Sequence, residues 1–153
     1  MKQSVLIALV LVLGFGFIVF QVATTAGTAV EWQTDFAKAQ NQANQQGKYL
    51  LLNFSGSDWC VWCRRLNDEV FSQPEFKTYA RQHLVLAVAD FPRYQHLPEN
   101  LKRQNERLKA TYGVKGFPTV ILFNPKGEFV TQTGYQHGGA AAYVKHLKAF
   151  IEK

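Results

Sequence analysis

With 153 residues, 47% of them hydrophobic and 14% aromatic, the chain is sized for one domain with a core of its own. That composition excludes a disordered, collagenous or disulfide-rich scaffold. The net charge of +6 comes from basic residues scattered along the chain, not from a basic and aromatic stripe, and gives no case for nucleic-acid binding.

The N-terminus differs from everything after it. Lys2 is followed by an apolar run from Val5 to Phe20, broken only by Gly14 and Gly16, and then by small residues from Ala23 to Ala29. A positive start, an apolar stretch and a small-residue exit predict an export signal over residues 1–29, cleaved after Ala26 or Ala29. The run is longer than a usual signal core of ~7–15 residues and short of the ~20 that span a bilayer, so a retained signal anchor stays open. Either way the domain that follows, residues 30–153, faces outward, in the periplasm or its equivalent. No Cys lies near the end of the run, which argues against a lipoprotein.

Trp32 to Gln46 carries Phe36, Ala39 and Ala43 at helical spacing and stops at Gly47. Tyr49–Phe54 is an apolar run of strand length, suited to the centre of a sheet. Ser55-Gly56-Ser57-Asp58 is a loop with capping residues, and it leads into a helix from Cys60 to about Val70 with Leu66 and Val70 inward. Pro74 opens a helix over Glu75–Gln82 that buries Phe76, Tyr79 and Ala80. Leu84–Ala89 is the next strand, and Asn100–Tyr112 a helix anchored by Leu101, Leu108 and Tyr112. Thr119–Phe123 and Glu128–Gln132 form a hairpin around Asn124-Pro125-Lys126-Gly127. A last helix after Gly138-Gly139 turns Tyr143, Leu147, Phe150 and Ile151 inward. Strands separated by helices pair in parallel and the hairpin adds antiparallel strands, which predicts an α/β fold: a mixed sheet with helices on both faces.

The only two cysteines, Cys60 and Cys63, stand two residues apart at the start of a helix. Free N–H groups and the helix dipole favour negative charge at Cys60, so its thiolate should form more readily than that of a free cysteine, and its sulfur should be exposed. Arg64 and Arg65 add to this if they turn toward it. Cys63, almost one turn on, can attack a mixed disulfide at Cys60 and release the reduced substrate. Three other readings compete. A static disulfide closing so short a loop gains little stability. A zinc site lacks two further ligands, since His83, His96, His137 and His146 are dispersed. Copper delivery lacks a neighbouring Met or His. No metal and no cofactor is therefore expected.

Trp59-Cys60-Val61-Trp62-Cys63 after an apolar strand, with Gly116-Phe117-Pro118-Thr119 opening a later one, resembles the thioredoxin superfamily. The flank Asp58 to Arg64, with Glu69-Val70-Phe71, is most similar to exported bacterial thioredoxin-like proteins and to the C-terminal domain of DsbD-type disulfide-interchange proteins. The resemblance covers about Trp32 to Ile151 and implies the thioredoxin fold. It also implies that Pro118 is a cis-proline packed by the cysteines, and that the backbone of Phe117 pairs with an incoming peptide as an added strand. Trp59, Val61, Trp62 and Phe117 would then rim the sulfurs. One departure stands out: the buried acid that thioredoxins carry before the motif corresponds to Asn53, and an amide cannot act as a base. Asp58, Asp68, Glu69 or water would take its place.

Oxidant, reductant and isomerase share this architecture and differ in potential, from about −270 mV to about −120 mV. Val61 and Trp62 bring no charge to the sulfurs, and the flank is similar to that of an interchange protein. Both favour a reductase of oxidised client proteins, fed by a membrane thiol donor. An oxidase or isomerase, or a non-catalytic client-binding module, are the alternatives.

Overall fold

The structure, a computed structural model, describes residues 30–152. The proposed leader, 1–29, lies outside them. Among the described residues no helix is long and apolar enough to cross a membrane.

Strand β1 (Trp32–Gln33) and helix α1 (Phe36–Gln46) precede β2 (Tyr49–Ser55). Helix α2 (Val61–Leu66) runs into a π-helical turn (Asn67–Phe71), followed by α3 (Pro74–His83) and β3 (Leu84–Asp90). Helix α4 (Glu99–Thr111), strands β4 (Thr119–Phe123) and β5 (Phe129–Thr133), and α5 (Gly139–Ile151) complete the chain. The sheet order is β1-β3-β2-β4-β5. β3 runs parallel to both β1 and β2, and β4 is antiparallel to β2 and β5. This is the mixed sheet expected from the pattern of elements.

The polypeptide alternates across the sheet, so β2 feeds two cores at once. Leu50, Leu52 and Phe54 pack with Ala39, Ala43, Ile121 and Phe123 on the face covered by α1. Leu51 packs on the other face with Leu66, Val70, Phe76, Tyr143 and Leu147. The same two-residue period puts Asn53 and Ser55 on the Leu51 face, under the start of α2. Both are buried polar residues.

Local chemistry explains the element ends. The Asp35 side chain accepts the N–H of Lys38 and caps α1, and Gly47, at φ 64°, ends it in the left-handed conformation where a Cβ is unfavourable. Pro74 sits in the first turn of α3.

Three expectations need correcting. Trp32 belongs to a strand, not to the first helix, because β3 offers it a parallel partner at Leu86. The helix expected from Cys60 to Val70 changes to π geometry at Asn67, which brings Val70 and Phe71 into the core together. In α4 the buried residue is Asn105, not Leu101; its Nδ2 donates to the Asp90 carbonyl and ties the helix to β3.

Candidate active site

β2 points the chain at the site. After Ser55 the loop 56–59 turns back, and Cys60 becomes the N-cap of α2 with extended backbone angles. Its Sγ accepts the N–H of Cys63 at 3.1 Å. Cys60 and Cys63 are joined by a disulfide with Cα atoms 5.2 Å apart. Cys60 is only 6% exposed and Cys63 5%, so the expected exposed sulfur is not found in this oxidised state, where each bonded sulfur helps to cover the other.

The Trp59 ring rests on the loop that leads to it. A Cβ on Gly56 would come within 2.4 Å of the indole, so only glycine lets the ring lie there. The indole N–H donates to the Phe91 carbonyl at 2.8 Å, and the Arg93 guanidinium stacks over the ring at 3.8 Å. Phe117 meets Trp59 edge-on at 5.8 Å and Phe91 at 5.0 Å. The Phe117–Pro118 bond is cis. Since Thr119 pairs with Phe54, Pro118 sits at the end of the sheet from which the cysteine loop departs.

Trp62 takes the other side. It is 48% exposed and Val61 65%, and Trp62 packs on Tyr135 at 5.3 Å. Arg65 lies over both rings and pairs with Glu69 at 2.6 Å, while the Tyr135 hydroxyl donates to the same carboxylate. The hydrogen bonds from Tyr135 and Arg65 hold the Glu69 carboxyl below its ordinary value, and the same bond raises the Tyr135 phenol. Of the four residues expected to rim the sulfurs, Trp59 and Phe117 pack together half-buried, and Val61 and Trp62 lie open. Arg65 is committed to this second pair and does not serve the sulfurs. Tyr135 and Phe91 escaped the sequence reading, because neither sits in a motif nor at a periodic position near the cysteines.

Behind the disulfide lies a cleft of about 260 Å³ lined by Asn53, Ser55, Ser57, Cys63, Arg64 and Asn67, with Trp32, Phe71 and Val88. None of the three acids considered as proton acceptors lines it. Glu69 is bound as above, and Asp68 accepts from the neighbouring Asn67 side chain. Asp58 accepts the backbone N–H groups of Arg93, Tyr94 and Gln95 at 2.8–3.1 Å. Desolvation would raise the Asp58 carboxyl, but these bonds outweigh it and hold the group below its usual value. The folded state thus binds this proton more weakly than the unfolded chain, so the stabilisation is complete above the unfolded value of about 3.9 and is lost as pH falls through the lower folded value. In NMR spectra the amides of Arg93, Tyr94 and Gln95 should titrate together with one midpoint below that of a free Asp. Independent midpoints, or a shared one at the ordinary value, would contradict this anchoring.

Among the described residues no group of three His, Cys, Asp or Glu side chains comes together as a metal site. Two cysteines three positions apart and joined by a disulfide are consistent with thiol–disulfide exchange, and the protein is of the oxidoreductase class that performs it.

The chain belongs to the thioredoxin-like domain family, whose profile matches residues 36–151. It is 36% identical over 132 residues to the disulfide bond reductase DsbH of Chlamydia pneumoniae, covering 86% of this chain and 79% of that one. It aligns with the solved structure of a DsbH oxidoreductase at a TM-score of 0.77 and 35% identity, over 88% of this chain and 92% of that one. The C-terminal domain of DsbD from Neisseria meningitidis, in reduced form, shares the fold, with a TM-score of 0.56 at 19% identity over 74% and 92% of the two chains.

Proposed function

We propose that the protein is a periplasmic disulfide reductase, exported by residues 1–29, that passes electrons from a membrane thiol donor to oxidised client proteins. The observation that carries the reading is the hydrogen bond from the Cys63 N–H to Cys60 Sγ, at the N-cap of α2. An N–H aimed at sulfur stabilises the anion more than the thiol, which makes Cys60 the attacking thiolate.

In the reduced protein Cys60 attacks one sulfur of a client disulfide. The client S–S bond breaks, one client thiolate leaves, and the other sulfur stays bonded to Cys60. Cys63 then attacks Cys60 Sγ, the second client thiolate departs with the bonding electron pair, and the Cys60–Cys63 disulfide forms. A dithiol donor restores the reduced pair. Phe117, before Pro118, offers its backbone to the client strand, and Trp59, Val61, Trp62 and Phe117 supply apolar contact. The name of the Chlamydia pneumoniae relative, a disulfide bond reductase, supports the reducing direction.

Equilibration with glutathione tests it. A potential near the thioredoxin value of about −270 mV is expected, and one near about −120 mV, the range of a strong oxidant, would overturn the reductase assignment.

A further inference from the structure

Cys63 is 5% exposed, and when it attacks, its thiol proton has to leave from inside the protein. Its outlet is the cleft behind it. Among the described residues the only charged side chain lining that cleft is Arg64, which favours a thiolate but cannot accept a proton. Asn53 Oδ1 is buried there and accepts no hydrogen bond from the described residues. A buried acceptor of this kind is costly unless a donor reaches it, and a polar cleft of this size has room for water. Ser57, exposed at the mouth of the same cleft, donates from its Oγ to Asp90 Oδ2 at 2.6 Å. The other Asp90 oxygen accepts the Ser57 N–H at 2.9 Å. Asp90 in turn borders a second cleft, of about 320 Å³, where it faces His96, Glu99, Lys102 and Glu106. Ser57 and Asp90 are thus the seam between the two.

We propose that Asn53, Ser57 and Asp90 form the proton exit of Cys63: water held by Asn53 Oδ1 takes the thiol proton, and the Ser57–Asp90 pair passes it to the outer cleft. This rests on the exchange chemistry assigned to Cys60 and Cys63. As Cys63 sulfur bonds to Cys60 Sγ, the bond from Cys60 to the client sulfur breaks and the client thiolate takes the electron pair. The thiol proton moves to the water, the water protonates Ser57 Oγ, and the Ser57 hydroxyl proton moves to Asp90. Asp90 then releases it to solvent. Asn53 thereby does by holding water what an amide cannot do as a base, and Asp90 accepts from a distance.

The test uses reduced full-length protein in detergent buffer with 5,5′-dithiobis(2-nitrobenzoate). The first thionitrobenzoate released reports attack by Cys60 and the second reports attack by Cys63. Ser57→Ala and Asp90→Asn are each expected to slow the second release about tenfold or more at neutral pH and to move its pH profile to the alkaline side. Asn53→Asp on the Ser57→Ala background, which places a carboxylate in the inner cleft, is expected to restore rate and profile. A second release with wild-type rate and profile in both variants overturns the proposal. So does a slower release with an unmoved profile, which would mark a packing role. A first release that keeps its wild-type rate in Cys60→Ser, where Cys63 is the remaining thiol, would instead remove the assignment of Cys60 as the attacking sulfur on which the proposal rests.

Discussion

Cys60→Ser is expected to reduce insulin disulfides no faster than the dithiothreitol background, a loss of more than about 10³-fold in the catalysed rate. The size follows from the chemistry. Cys60 supplies one of the two sulfurs of the 60–63 disulfide, and a serine oxygen in its place can form neither the mixed disulfide nor the internal one. Cys63→Ser separates the two half-reactions. It keeps the attacking sulfur at the N-cap of α2, and also the N–H of residue 63 that points at it. The first step should therefore proceed and the second stall, leaving a client joined to Cys60 that mass spectrometry detects and reductant removes. A Cys60→Ser protein as active as wild type would favour the alternative in which the domain binds clients with its disulfide a passive tie.

Phe76→Ala is expected to cost about 3–5 kcal/mol, a large share of the roughly 5–15 kcal/mol that stabilises a domain. Phe76 is fully buried where α3 meets the rest of its core. Its ring lies 4.9 Å from Phe71 on the π-helical turn and 6.4 Å, edge-on, from Tyr143 on α5. Truncation leaves a cavity bordered by three elements that the sheet holds in place, so collapse is limited. At a slope of about 2 kcal/mol per molar urea, the unfolding midpoint should fall by about 2 M. Phe71 also lines the cleft behind Cys63, so the loss should loosen the floor of the candidate site as well. A midpoint shift under about 0.5 M would mean that this core repacks freely.

Much of the framework was legible because its causes are local. The apolar run at Tyr49–Phe54 and the one at Thr119–Phe123 are strands flanked by turn formers, and both are buried along their length apart from Tyr49. Pro74, Gly47 and Asp35 mark helix ends by their own backbone and capping chemistry. The cysteine pair announced exchange chemistry through its spacing and its place after a strand, and the pattern of Trp59 to Cys63 with Phe117-Pro118 resembled a known family.

What stayed hidden depends on partners far away in the chain. β1 is two residues long and has no signal of its own; it exists because Leu86 and Ala87 pair with it across more than fifty residues. Tyr135 joins Trp62 and Glu69 only because the chain after β5 returns over the start of α2. The sequence placed a neutral amide at residue 53, and the two-residue period of a strand was enough to put it on the face of Leu51. That Ser57 of one cleft hydrogen-bonds to Asp90 of another, and that Asp58 is spent on the 93–95 backbone, was decided by tertiary structure alone. Hydrogen bonds between side chains and loops select their partners by distance in space, and neither composition nor periodicity carries that distance.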